Sequence, residues 1–268
     1  MNLNGRVAVV TGGASGIGRG ISEELVARGA KVVIADIEQA AMDKAAPEIG
    51  AFGIHCDVSD YASVEALARR TIDEFGRVDL LVNNAGVGSM ALLENMTMDD
   101  WTWMLGVNLW GTIHGVQAFL PHLIANPDGG YVAATTSTGG FKTSPTLVPY
   151  SVSKFGVVAL MEGLKLEMEQ AGYRVGVSIL APGPVRSNIQ NSRRNRPASL
   201  ESGGLFDVEL DDIGLFAGGV PWKEPRYAGK ILADAIEQER LYVTTHPDMV
   251  PRIFERMHRA EEMLKQPI

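Results

Sequence analysis

Short runs of apolar and β-branched residues alternate along the chain with longer stretches in which apolar residues recur every three or four positions. The runs predict strands over residues 7–10, 31–35, 52–56, 78–82, 131–135, 175–180 and 241–245, with the weakest signal at 52–56. The longer stretches predict helices over residues 21–28, 64–75, 103–124 and 155–170. Strands buried on both faces read as continuous apolar runs. The alternation therefore predicts a doubly wound α/β (Rossmann) fold, with helices on both faces of a parallel sheet of about seven strands.

Two segments near the end of the chain depart from this rhythm. Residues 188–222 are polar, rich in glycine and without periodicity, and a loop of that length in a compact domain is usually functional or mobile. Residues 248–266 have the spacing of a C-terminal helix, which would pack on the body or on a second subunit. No linker divides the chain, so we expect one catalytic domain over residues 1–268.

Composition narrows the classes of function. A net charge of −8 argues against binding to nucleic acid. A single cysteine, Cys56, excludes an intrachain disulfide and a cysteine-based metal site, and the five histidines lack paired ligand spacing. No apolar run reaches the roughly 18 residues of a membrane span, and no leader precedes the first predicted strand. We therefore expect a cytoplasmic protein that binds neither a metal nor a membrane.

The first predicted strand ends in a glycine-rich turn, Thr11-Gly12-Gly13-Ala14-Ser15-Gly16-Ile17-Gly18, and a helix follows directly. Glycines let the backbone turn sharply and approach a pyrophosphate, whose charge then lies at the helix N-terminus. The second strand ends near Asp36, at the spacing of a residue that binds a ribose. A carboxylate there accepts hydrogen bonds from ribose hydroxyls and repels a 2′-phosphate. Since neither Gly13 nor Ile37 supplies a cation, the pattern predicts NAD rather than NADP.

Tyr150 and Lys154 are four residues apart in a predicted helix, so their side chains share one face. A phenol with a pKa of about 10 is a poor base at neutral pH. A neighbouring ammonium, or the positive nicotinamide ring of an oxidised cofactor, would stabilise the phenolate and lower that pKa. The hydroxyl-rich segment Thr135-Thr136-Ser137-Thr138 lies just upstream, where one hydroxyl could hold a substrate oxygen beside Tyr150.

Several segments, taken together, resemble the classical short-chain dehydrogenase/reductase family in its usual order and intervals, across nearly the whole chain. They are Thr11 to Gly18, Asn83-Asn84-Ala85-Gly86, Asn108, Ser137, Tyr150-Ser151-Val152-Ser153-Lys154 and Pro182-Gly183-Pro184-Val185. Two positions depart from the family pattern. Thr136-Ser137 stands where paired serines are common, and Ser187 stands where a threonine is more usual.

The resemblance implies a role for each matching residue. Tyr150 would be the general acid/base, Lys154 would lower its pKa and hold the nicotinamide ribose, and Ser137 would orient the substrate oxygen. Asn108 would hold a water that connects Lys154 to solvent. The implied cofactor contacts are Tyr150 and Lys154 together with Gly12, Ser15, Gly16, Ile17, Gly18, Asp36, Ile37, Asp57, Val58, Asn84, Ala85, Gly86, Pro182, Gly183, Val185 and Ser187.

The same resemblance makes residues 188–222 the substrate lid. Its apolar residues would either cover a bulky apolar or aromatic substrate or simply pack under their own loop; they are Ile189, Leu200, Leu205, Phe206, Leu215, Phe216 and Trp222. The expected substrate contacts are Ser137, Tyr150, Ile189 and Phe206.

A basic cluster in this segment, Arg193, Arg194 and Arg196, is interpreted as solvated charge or a subunit contact in preference to a site for an anionic substrate. The segments Ser187-Asn188-Ile189, Ser192 to Ala198 and Leu241-Tyr242-Val243 are similar to bacterial dehydrogenases that oxidise the benzylic Cα alcohol of lignin-derived aryl ethers. That narrower resemblance implies an aryl secondary alcohol as substrate.

The leading prediction is an NAD-dependent enzyme that interconverts a secondary alcohol and its ketone by hydride transfer. The alternatives are a dehydrogenase of a steroid, sugar or 3-hydroxyacyl alcohol, an epimerase or dehydratase with bound cofactor, and a catalytically silent dinucleotide sensor. The family resemblance implies a homotetramer or homodimer, with residues 103–124 and 155–170 paired across subunits.

Overall fold

The computed structural model describes residues 1–201, 203–207 and 220–266. Seven strands form one sheet in which every neighbouring pair is parallel, in the order β3-β2-β1-β4-β5-β6-β7. They are β1 (Val7–Thr11), β2 (Lys31–Asp36), β3 (Phe52–His55), β4 (Leu80–Asn83), β5 (Gly130–Thr135), β6 (Val175–Leu180) and β7 (Tyr242–Val243). The predicted Rossmann fold is confirmed.

Helices pack on both faces of the sheet. In the described residues they are α1 (Gly16–Ala27), α2 (Gln39–Ile49), α3 (Tyr61–Phe75), α4 (Met98–Leu105), α5 (Gly111–Ala125), α6 (Val148–Ala171), α7 (Pro225–Glu237) and α8 (Val250–Leu264). Apolar residues of α3, α5 and α6 form one core with the sheet. Those of α1, α2 and α7 form the second core on the opposite face. Because both faces are covered, β1, β4 and β5 are buried at every position.

The strand order reverses direction between β1 and β4, since the chain runs outward through β2 and β3 before it returns to β4. In open α/β sheets, the crevice beyond the carboxyl ends of the strands at such a switch point is where ligands bind. The ends of β1, β2, β4, β5 and β6 carry the residues that the sequence singled out, and all of them meet at this edge.

The structure corrects one predicted helix. The stretch 103–124 is divided by a π-helical turn, Gly106–Trp110, between α4 and α5. Asn108 in this turn is fully buried, and its carboxamide exchanges hydrogen bonds with the backbone of Val87, next to β4. A hydrophobic periodicity of 3.6 does not reveal one inserted residue, which explains why the sequence pattern missed the turn.

The C-terminal helix α8 packs less closely than the others, since none of its residues is buried. Its first turn nevertheless reaches the crevice at the carboxyl edge, where Arg252 and Ile253 contribute to the wall. No helix in the described ranges has the length and apolar character needed to cross a lipid bilayer.

Candidate active site

A cleft lies at the switch point and continues under the segment that follows β6. Its wall contains most of the residues predicted to bind cofactor: Gly12, Ser15, Gly16, Ile17, Asp36, Ile37, Val58, Asn84, Ala85, Gly86, Tyr150, Lys154, Pro182, Gly183, Val185 and Ser187. Ser137 and Ile189, two of the predicted substrate contacts, line the same cleft. The strand ends therefore bring these residues from distant parts of the sequence together.

The glycine-rich turn is shaped by close backbone approaches. Gly12 has a φ of +62°, and a Cβ there would lie 2.9 Å from the Cα atom of Ala85. A Cβ at Gly18 would lie 2.0 Å from the carbonyl oxygen of Gly12. Only glycine fits such positions. The turn leads into α1, whose N-cap residue Ser15 makes no side-chain capping bond. Free N–H groups at a helix start favour an anion.

Asp36 ends β2 with its carboxylate held from two sides. One oxygen accepts a hydrogen bond from the backbone N–H of Ala14 at 3.1 Å, and the other accepts one from the N–H of Glu38 at 3.1 Å. Burial raises the pKa of Asp36 above its ordinary value, while these backbone bonds oppose the shift. The two bonds fix the carboxylate at the edge of the cleft.

Asn84 ties three strand ends together. Its backbone N–H donates to the Thr11 hydroxyl at 2.9 Å, and its side-chain Nδ2 donates to the Thr11 carbonyl at 3.1 Å. Its Oδ1 accepts a hydrogen bond from the hydroxyl of Thr135 at 3.0 Å. Thr11 ends β1 and Thr135 ends β5, so one carboxamide sets the spacing of β1, β4 and β5 at the cleft.

Ser137, Tyr150 and Lys154 meet at the opposite end of the cleft from Asp36. Tyr150 and Lys154 lie one turn apart near the start of α6, and Lys154 Nζ is 5.7 Å from the centroid of the Tyr150 ring. The Ser137 hydroxyl is hydrogen-bonded to Tyr150 and accepts from the N–H of Gly139 at 3.1 Å. Lys154 is 3% exposed and donates to the Thr135 carbonyl at 3.0 Å.

Burial shifts the pKa values of both Tyr150 and Lys154. Burial raises the pKa of Tyr150 above its ordinary value, although the hydrogen bond with Ser137 acts in the opposite direction. Burial lowers the pKa of Lys154 to about 8. Desolvation of the phenolate thus outweighs the hydrogen bond with Ser137. The lowering of the Tyr150 pKa by the Lys154 ammonium or by an oxidised nicotinamide stays a prediction.

The wall beyond β6 is supported from behind by the chain that follows β7. The N–H of Gly183 donates to the hydroxyl of Thr245 at 3.1 Å. The buried ring of His246 bonds the same hydroxyl through Nδ1, at 2.7 Å, and the carbonyl of Pro221 through Nε2, at 2.8 Å. His246 is thus a packing residue that holds the Pro182–Gly183 turn against the cleft.

Comparison with known proteins identifies the family. The family model for the short chain dehydrogenase matches residues 6–198. The chain belongs to the short-chain dehydrogenase family. The expectation drawn from its motifs is thereby confirmed.

Relatives of this dehydrogenase include a C alpha-dehydrogenase from Sphingobium sp. (strain NBRC 103272 / SYK-6), 37% identical over 91% of this chain and 81% of the relative. A (-)-trans-carveol dehydrogenase from Rhodococcus erythropolis is 32% identical over 90% of this chain and 94% of the relative. Among solved structures, a short chain dehydrogenase/reductase from Burkholderia phymatum in complex with NAD superposes with a TM-score of 0.89. It is 32% identical and covers 100% of this chain and 98% of its own.

Some predicted site residues of the dehydrogenase lie away from the cleft wall. Gly18 packs behind the turn, Asp57 accepts hydrogen bonds from the N–H and hydroxyl of Ser59, and Phe206 is 43% exposed. Asn108 is enclosed in its bonds to Val87 and Ser153. The lid residues Leu215 and Phe216 lie outside the described ranges, as do positions 202, 208–214 and 217–219 of the predicted lid.

The described part of the lid begins with two 3₁₀ turns, Ile189–Asn195, that cross the mouth of the cleft. A Cβ at Gly88 would lie 2.9 Å from Cγ1 of Ile189 and 3.8 Å from the Tyr150 ring, so Ile189 lies close to the end of the cleft that holds Tyr150. The hydroxyl of Ser192 accepts a hydrogen bond from the N–H of Gly88 at 3.0 Å. The lid therefore rests on the loop after β4.

Two arginines of the basic cluster hold the lid to the body, which corrects their interpretation as solvated charge or a subunit contact. Arg194 Nη2 lies 2.5 Å from a carboxylate oxygen of Glu38 and keeps the pKa of that carboxyl below its ordinary value. Arg196 Nη1 lies 2.6 Å from Asp100, whose side chain is fully buried, and its guanidinium stacks 5.5 Å from the centroid of the Trp103 ring. The first part of the lid is thus fastened to the start of α2 and to α4.

Sequence reasoning missed several residues of the cleft wall. Glu38 and Asn195 close the end near Asp36, while Met90, Trp103 and Met249 line the end near Tyr150. Asn195 Nδ2 donates to Glu38 Oε1 at 2.9 Å. Of these residues, only Met249 had a signal in the sequence, because it is the first apolar position of the predicted C-terminal helix.

Breaking the buried Arg196–Asp100 pair should destabilise the protein strongly. We expect Arg196→Met to lower the free energy of unfolding by about 3 kcal/mol, because Asp100 would be left buried without its counter-charge. The control Arg69→Met removes an exposed pair with Glu65 and should cost at most about 1 kcal/mol. Urea unfolding of the two variants measures both values, and equal losses would contradict a buried anchor for the lid.

Proposed function

We propose that the protein is an NAD-dependent oxidoreductase that interconverts a secondary alcohol and its ketone. The observation that carries the proposal is the position of Ser137, Tyr150 and Lys154 at one end of a cleft whose other end holds the Asp36 carboxylate. A dinucleotide with an adenosine half and a nicotinamide half would occupy both ends of this cleft. Membership of the short-chain dehydrogenase family supports the reaction class.

The residues of the cleft fit NAD. Glycine keeps side chains out of this turn, where a Cβ at Gly16 would lie only 2.9 Å from the Cβ of Ser187, and a pyrophosphate could therefore approach the backbone closely. The uncapped start of α1 offers N–H donors to the phosphates. Asp36 is placed to accept hydrogen bonds from adenosine ribose hydroxyls and to repel a 2′-phosphate. Asn84, Gly86 and Gly183 would line the rest of the binding site.

The catalytic residues divide the proton transfer between them. We assign Tyr150 as the group that takes the hydroxyl proton in oxidation and returns it in reduction. Ser137 holds the substrate oxygen against the phenol, and the Lys154 amine lies beside the phenol ring. Bound NAD would supply the hydride acceptor and a positive charge that favours the phenolate. Asn108 would orient this region through Val87 and Ser153 rather than touch the substrate.

The substrate is proposed to be a bulky apolar or aryl alcohol. The wall around Ser137 and Tyr150 is largely apolar, and its members are Met90, Trp103, Val107, Leu147 and Ile189. The similarity to a C alpha-dehydrogenase and to a carveol dehydrogenase supports a hydroxyl next to a ring. A steroid, sugar or 3-hydroxyacyl alcohol is the alternative substrate class, and a catalytically silent sensor is the alternative function.

We also propose a homo-oligomer, a homotetramer or homodimer, in the cytoplasm. Large apolar side chains are exposed on the helices expected to pair across subunits: Trp110 before α5, and Val152 and Leu166 on α6. An exposed apolar face of this kind is a common subunit contact. The buried, unreactive Cys56, whose pKa burial raises to about 11, fits a reducing compartment.

A panel of secondary alcohols tests the proposal. The protein should form NADH, followed at 340 nm, from aryl alcohols such as 1-phenylethanol, with NAD strongly preferred to NADP. Small aliphatic alcohols and sterols complete the panel. A preference for NADP would contradict the role of Asp36, and NADH binding without turnover of any alcohol would favour the sensor.

Tyr150→Phe should separate chemistry from binding. Removing the phenolic hydroxyl should lower kcat by a factor of about 10² to 10⁴, because the proposed acid/base is then missing. NADH affinity, measured by fluorescence titration, should stay within a factor of about two, since the ring remains in place. Tyr173→Phe, which changes an exposed tyrosine away from the cleft, is the matched control. Near wild-type turnover in Tyr150→Phe would disprove the assignment.

A further inference from the structure

The charged side chains of the cleft fall into two groups. At the end near Asp36, the charges are already matched: Asp36 accepts two backbone hydrogen bonds, and Glu38 pairs with Arg194. Buried Lys154 donates to the Thr135 carbonyl. Two further cations, Lys142 and Arg252, line the cleft on the side of the reacting residues.

Lys142 and Arg252 reach the cleft from separate elements. Lys142 lies in the loop that connects the Ser137 turn to α6, between the residue that orients the substrate oxygen and the proposed acid/base. Arg252 lies in the first turn of α8. Met249, three residues earlier, packs on the wall beyond β6, where its Sδ is 2.8 Å from the Cβ position of Gly183. Both cations therefore stand near the catalytic end.

Neither cation is neutralised within the parts of the chain that the structure describes. Both side chains are exposed, and neither forms an ion pair with a carboxylate within 4.0 Å there. The carboxylates of the described cleft wall, Asp36 and Glu38, are both at the far end. The chain as a whole carries a net charge of −8, so unpaired positive charge at this cleft runs against the overall balance. Such a local field concentrates anions.

We propose that Lys142 and Arg252 form a subsite for a negatively charged oxygen group, such as a carboxylate, on the substrate. The inference rests on the proposed function and narrows its substrate class to an alcohol with an apolar body and an anionic group. The apolar wall of Met90, Trp103 and Leu147 takes the body, while an ammonium and a guanidinium at the cleft mouth take the charge.

The test compares two ketones that differ in charge, 4-acetylbenzoate and its methyl ester, in binding to the complex of the protein with NADH. Wild type should bind the carboxylate about tenfold more tightly than the ester. Arg252→Gln and Lys142→Gln should each weaken carboxylate binding about three- to tenfold and leave ester binding within about twofold. The double variant should lose the preference, and added salt should reduce it in wild type.

Arg259→Gln is the matched control, because Arg259 is exposed on the same helix but does not line the cleft. Equal binding of ester and carboxylate in wild type, or an equal loss in the control, would overturn the subsite. Acetoacetyl-CoA distinguishes the source of the anion: tighter binding than the carboxylate, lost in the same variants, would assign the subsite to phosphates. If the ketones bind with this preference but neither 4-(1-hydroxyethyl)benzoate nor any alcohol of the panel is oxidised, the proposed function fails and the subsite stands.

Discussion

The cleft depends on how Asn84 holds the carboxyl ends of three strands. Parallel strands leave their last carbonyl and N–H groups unpaired at this edge, and such groups are costly if buried without partners. Asn84 supplies partners to Thr11 and, through Oδ1, to Thr135. The carbonyl of Thr135 in turn accepts from Lys154. The distance from the glycine-rich turn to Lys154 is therefore set by one connected network rather than by independent loops.

At the same edge of the sheet, the lid is attached to the body by side-chain contacts. Residues after β6 leave the sheet and cross the mouth of the cleft without regular pairing of their own. Arg194 and Arg196 attach them to Glu38 and Asp100, which belong to the start of α2 and to α4. Asp100 also closes the capping box of α4 with Thr97. The Asp100 carboxylate thus both anchors the lid and caps the start of α4. Access to the cleft is therefore coupled to the packing of α4.

The sequence predicted the sheet well because strands buried on both faces must be continuously apolar, as β1, β4 and β5 are. Most cleft residues were predicted through the resemblance to the short-chain dehydrogenase/reductase family. The residue types and their spacing alone indicated the glycine-rich turn, Asp36 and the Tyr150–Lys154 pair. The rest depended on long-range contacts. No local pattern shows that Arg194 reaches Glu38, that a π-helical turn carries Asn108, or that α8 starts at the cleft. Nor does it reveal that burial outweighs the hydrogen bond with Ser137 in setting the pKa of Tyr150.

The most direct test of the account is to follow the hydrogen on the carbinol carbon. The protein would be incubated with NAD and 1-phenylethanol deuterated at that carbon, and the reduced cofactor and residual alcohol would be analysed by mass spectrometry and NMR. The account predicts one deuterium in the nicotinamide ring of each NADH formed, together with a ketone that has lost it. Deuterium that is released to water, or that stays on an alcohol of inverted configuration, would contradict direct hydride transfer and favour an epimerase.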